Sequence, residues 1–95
     1  MHKFASAAEV KCWLRGKGIK GRVSVHRIRN PFTGVPLFMV GLADVPAGVA
    51  IVISSGGTGP TTYGSSDGGK TAKCYQALEE ALKGTTAAVV GMWEE

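Results

Sequence analysis

Cysteine, histidine and aromatic residues are scarce in this chain, and each scarcity removes a class of function. Two cysteines, Cys12 and Cys74, and two histidines occur among 95 residues, with no CxxC or HxxxH spacing, so no structural metal site is expected. Each cysteine falls in a predicted helix, where it reads as a small reduced thiol and not as half of a disulfide. No apolar run is long enough to cross a bilayer. The longest, Val35 to Ala43 and Val49 to Ile53, are about half of the roughly 20 residues required, and Asp44 interrupts them. The start, Met1-His2-Lys3-Phe4-Ala5, leads into Ser6, Glu9 and Lys11 without the apolar block of a secretory leader. A cytoplasmic protein without membrane contact is expected.

Catalytic groupings are equally thin. There is no GxSxG elbow and no Cys/His/Asn arrangement. Asp44 falls in a turn, Glu79 and Glu80 on a helix surface, and Glu94 and Glu95 at the chain's end, which leaves no paired carboxylates for acid–base work. His26 reads as a solvent-facing strand residue. The one enzyme-like string is Gly64-Ser65-Ser66-Asp67-Gly68-Gly69-Lys70-Thr71, which matches the phosphate-loop pattern GxxxxGKT. That pattern works when it follows directly on a buried parallel strand and when a second acid holds magnesium. Here the preceding strand ends about ten residues earlier. No catalytic residue, no cofactor and no enzymatic activity are expected.

Acidic residues are missing from one region in particular. In the first thirty residues Lys3, Lys11, Arg15, Lys17, Lys20, Arg22, Arg27 and Arg29 face Glu9 alone, whereas from Asn30 onward three lysines face six acids. The difference gives the net charge of +4. A basic segment on a small domain is the usual footprint of a polyanion partner, commonly nucleic acid, and the plainer alternative is a solvated surface that keeps the protein soluble.

What is present is one domain, residues 1–95, of α+β class. Ser6-Ala7-Ala8-Glu9 has the form of a capping box, after which Ala7, Val10, Trp13 and Leu14 repeat at helical spacing, with Lys11 and Arg15 on another face and Gly16 and Gly18 as stop positions. Gly21 to Arg29 alternates as a half-buried strand whose phase fails at Ile28, where a bulge or a sheet edge is expected. Asn30-Pro31-Phe32-Thr33-Gly34 is turn chemistry, so Val35 to Leu42 should return as a hairpin strand; its nearly continuous apolar content predicts cover on both faces. Val49 to Ser54 is a third strand, and a three-stranded antiparallel meander is the simplest arrangement. Residues 55–69 hold six glycines and read as a mobile or ligand-facing loop.

Ser66 or Asp67 would cap a second helix, in which Cys74, Tyr75, Leu78, Ala81 and Leu82 share a face, Glu79 lies one turn before Lys83, and Gly84 supplies the stop. Thr85 to Trp93 is a short C-terminal strand with Ala87, Val89 and Gly91 alternating against Ala88, Val90 and Met92. The element string is therefore αβββαβ. The terminal strand, if it lies at a sheet edge, could pair with a second copy across a two-fold axis, which makes a homodimer one expected assembly. Trp13 reads as core. Phe32, at the hairpin tip beside Arg29, gains little from the core there, so it is either a contact residue or tucked under the loop.

The order helix, three strands, helix, with Lys70-Thr71-Ala72-Lys73 opening the second helix, resembles the double-stranded RNA-binding domain. The resemblance covers Ser6 to Gly84. Lys70 to Lys73 is similar to the latter part of that family's KKxxK signature, with Gly69 in place of the first lysine; the hairpin loop lacks the family's GPxH, the loop before the second helix is longer, and a terminal strand is added. The resemblance implies that the first helix and first hairpin loop touch minor grooves of duplex RNA while lysines of the second helix meet phosphates. In size and element order the chain is also similar to phage-encoded inhibitors, anti-CRISPR proteins among them.

Two expectations follow. One is a non-enzymatic nucleic-acid or nucleoprotein contact by Lys11, Arg15, Lys17 and Lys20, flanked by Arg22, Arg27, Arg29, Phe32, Lys70 and Lys73, acting by charge neutralisation. The other is an inhibitor whose basic face binds an acidic protein surface on a nucleic-acid-handling complex.

Overall fold

Ser6 begins the first helix for a local reason. In the computed structural model, which describes residues 2–29, 31–45, 48–57 and 70–94, the Ser6 backbone is extended and its Oγ accepts the Glu9 N–H at 3.3 Å. The Glu9 carboxylate reaches back one residue beyond the capping box, to the Ala5 N–H at 3.0 Å. Helix α1 (Ala7–Gly16) then buries Val10 and Leu14, and Gly18 turns the chain out with a φ of 92°.

Strands β1 (Val23–Arg29), β2 (Pro36–Leu42) and β3 (Val49–Ser54) form the expected antiparallel meander, followed by α2 (Lys70–Ala81) and a fourth strand β4 (Ala88–Glu94). The strand order β1-β2-β3-β4 places β1 and β4 at the two edges. Phe38, Val40 and Leu42 on β2, Ile51 and Ile53 on β3, Val23 on β1 and Val89 on β4 are buried in one cluster with Val10 and Leu14 of α1 and Tyr75 and Leu78 of α2. Both helices therefore cover the same side of the sheet. Burying each such side chain contributes about 1.5–3 kcal/mol, so this cluster is the main stabilising feature. The expected apolar face of the second helix is the buried one: Cys74, Tyr75, Leu78, Ala81 and Leu82 all lie in the core.

Several expectations change on the other side of the sheet. The cover predicted for both faces of β2 exists on one; Leu37 and Met39, which point the other way, are only half-buried. β2 is an inner strand, and its apolar run reflects shielding by cross-strand neighbours, not a second layer. β1 pairs with β2 in unbroken register from Val23↔Leu42 to Arg29↔Pro36. Ile28 thus marks an edge and not a bulge. The irregularity lies instead between β3 and β4, where Ile53 faces Val89 but Val52 faces Gly91. Val90 is the extra residue, so the simple alternation expected along β4 breaks there.

The ends of β4 and α2 are held by long-range bonds. Thr85 to Ala87 stay out of the strand because their hydrogen bonds go elsewhere: Thr85 Oγ1 donates to Leu82 O at 2.7 Å, Thr86 N–H to His2 O at 2.8 Å, and Thr86 Oγ1 to Ser55 O at 2.6 Å. His2 in turn donates to Gly84 O at 3.0 Å, and Phe4 beside it is 1% exposed. The predicted 55–69 loop begins with anchored residues: Ser55 is buried and donates its N–H to Pro36 O at 3.1 Å. Residues 58–69, including the Ser66/Asp67 cap and most of the phosphate-loop string, lie outside the described residues. Lys83 pairs with Glu80 at 2.9 Å, one residue short of the Glu79 spacing expected. No described helix is long and apolar enough to cross a membrane.

Candidate binding surface

The geometry of α1 decides where its cations go. Successive residues advance by roughly 100° around a helix, so Trp13 and the Lys11–Arg15 pair fall on opposite sides of the Val10–Leu14 stripe. Trp13 turns toward the second helix, where its Nε1–H donates to Ala81 O at 2.7 Å. Lys11 and Arg15 therefore face away from α2 and toward the edge strand β1, against which α1 packs. Arg15 confirms the direction, since its Nη2 donates to Gly21 O at 3.4 Å, just ahead of that strand.

Edge strand β1 continues the same charge. Arg27 and Arg29 share the parity of Val23 and Val25, the helix side of the sheet, but stand past the core, opposite Phe38 and Pro36. Arg22 precedes the strand. Lys11, Arg15, Arg22, Arg27 and Arg29 are all exposed, and they form one basic flank running from α1 along β1 to the hairpin tip. From Arg22 to Arg29 this flank spans roughly 23 Å at about 3.3 Å per residue. Phe32 ends it, 95% exposed. The ring is therefore not tucked under the loop.

Lys20 and Lys73 do not join that flank. They line a separate groove of about 560 Å³ together with Gly18, Ile19, Leu42, Asp44, Cys74 and Ala77. Leu42 and Asp44 lie at the end of the sheet opposite the 30–35 turn, so the hairpin tip and the first turns of α2 are at opposite ends of the molecule. Lys17 is distinct from both groups, its Nζ 5.0 Å from the centre of the Trp13 ring. Lys70 opens α2, but its side chain is not among the described ones. Nine of the ten residues singled out from sequence thus divide into a flank, a groove and a cation held over an indole.

No described carboxylate pairs with the flank. The ion pairs among the described residues are His2–Glu9 at 3.9 Å and Lys83–Glu80 at 2.9 Å, and none of the flank cations enters either. The described residues contain no cluster of three metal-ligating side chains. Trp13 is only half-buried, and it serves as a joint: His2 stacks on it at 5.1 Å and Phe4 meets it edge-on at 5.9 Å. The four described strands pair antiparallel, so the parallel strand that a phosphate loop follows is not among them.

One surface residue was missed from sequence. Ile28 is 38% exposed on the hairpin whose other side carries Arg27 and Arg29, and it is with Phe32 one of the two exposed large apolar residues described. Its out-of-phase position in the strand pattern was the available signal. Comparison with protein-family models, with curated proteins and with solved structures finds no match for this chain.

Proposed function

We propose that this domain is a non-enzymatic binding module of the cytoplasm that meets a polyanion, nucleic acid or a nucleoprotein, through the flank formed by Lys11, Arg15, Arg22, Arg27 and Arg29. The observation that carries this reading is the presence of five exposed cations, none paired with a described carboxylate, on α1 and the edge strand β1 against which it packs. Cations spaced over such a length neutralise several phosphates at once and release their counterions. Lys20 and Lys73 line the separate groove and Lys17 sits over Trp13, so the proposed contact is carried by the flank.

The test is a binding titration with RNA and DNA, duplex and single-stranded, from low to moderate salt. Affinity is expected to fall steeply with salt, and absence of binding to every one of them at low salt would sink the reading. The inhibitor alternative predicts a stoichiometric protein complex that survives nuclease. Edge strand β4 supports a further part of the proposal, pairing of two copies, which light scattering on the purified protein measures directly.

A further inference from the structure

The hairpin of β1 and β2 separates charge from apolar surface. Because side chains alternate across a strand, Arg27 and Arg29 project on the helix side while Ile28 projects on the other, next to Leu37, its partner in register. Phe32 stands at the turn between the strands with 95% of its surface exposed. On the far side of the ring, Val35 N–H donates to Thr33 Oγ1 at 3.2 Å, Gly34 takes a φ of 72° that favours glycine, and the ladder begins at Arg29↔Pro36.

The other large apolar side chains described are buried or half-buried, so exposure of Phe32 and Ile28 is confined to this hairpin. The combination of a presented ring with two guanidinium groups a few residues away suits a nucleotide chain whose bases are unstacked. The ring then offers a face for a base while the arginines take the adjoining phosphates. A regular duplex keeps its bases stacked and offers that ring nothing but groove walls.

Resting on the proposed polyanion reading, we infer that the hairpin tip selects single-stranded over duplex nucleic acid, with Phe32 stacking on an unpaired base and Arg27 and Arg29 holding the flanking phosphates. The charge on the flank binds either form; the ring distinguishes them.

The experiment compares a short fluorescein-labelled oligothymidylate with a duplex of equal length, by anisotropy, using the full chain. Wild type is expected to prefer the single strand. F32A should weaken oligothymidylate binding about tenfold, as loss of one stacked base does, and leave duplex binding unchanged. F32W should retain single-strand affinity and show quenching of the added indole, read as the difference from wild type. The double variant R27A/R29A should weaken both ligands. Thermal unfolding of F32A is expected to match wild type, since its ring is exposed.

If F32A binds oligothymidylate as wild type does while R27A/R29A does not, the stacking inference falls and the basic-flank reading stands. If wild type binds neither of these oligonucleotides nor their RNA counterparts at low salt, the polyanion reading falls with it. If F32A binds both as wild type does but no longer captures a protein that wild type captures after nuclease treatment, the ring serves a protein partner and the inference is overturned.

Discussion

Trp13 ties three parts of the chain together: it donates to the carbonyl of Ala81 in α2, stacks with His2 and lies beneath the Lys17 ammonium. Replacing it with phenylalanine keeps a ring but removes the donor, leaving the Ala81 carbonyl unsatisfied in a half-buried place. W13F is expected to lose about 1–2 kcal/mol, measurable as a lower urea midpoint with an unchanged slope. Gly57 poses a different constraint. At a φ of 78° a Cβ would sit 2.8 Å from the Thr86 carbonyl oxygen, whereas Gly84, at 88°, has open space around it. G84A should cost about 1 kcal/mol for its left-handed backbone alone, and G57A distinctly more, because the backbone of Thr86 must also shift. Equal melting temperatures for the two variants would show that the close approach at Gly57 carries no energy. The capping box at Ser6 and the stop at Gly84 were legible because both are local. Phe4 was not: nothing near it in sequence announces that His2 will pair with Gly84 and Thr86 and carry the ring into the core.

At the scale of the element, α1 has three distinct sides. Val10 and Leu14 bury it, Trp13 ties it to α2, and Lys11 with Arg15 faces the edge of the sheet. Substituting both cations removes charge from an exposed side and touches no core contact. K11A/R15A should therefore unfold within about 0.5 kcal/mol of wild type while the slope of log affinity against log salt becomes shallower by about two. A variant that loses affinity with no change in slope would place these two residues off the contact surface. Strand β1 shows how much of an element sequence can reveal. Alternation gave its two faces correctly, but whether Ile28 marked a bulge or an edge depended on what lay beyond it, and the unbroken ladder to β2 answers that. In β4 the extra residue Val90 exists only relative to β3, so no pattern within β4 alone could have located it.

For the molecule as a whole, the five flank cations set the expected salt response. If all five meet phosphates, log affinity should fall against log salt with a slope of about −4 to −5. The GxxxxGKT string makes an opposite kind of prediction. The described strands offer it no parallel neighbour to follow, so ATP with magnesium should leave the thermal midpoint unchanged, and a nucleotide-dependent rise would reinstate an enzyme reading. By itself the sequence determined the order of the elements, the buried faces of both helices and the concentration of positive charge in the first third, because periodicity, capping and charge are carried by neighbours along the chain. Only the tertiary structure decided which cations share a surface. Arg15 and Arg29 are brought onto one flank because α1 packs on β1, and Lys20 and Lys73, far apart in sequence, line one groove. The hairpin tip is set at the far end of the sheet from that groove because β1 pairs with β2 along its whole length.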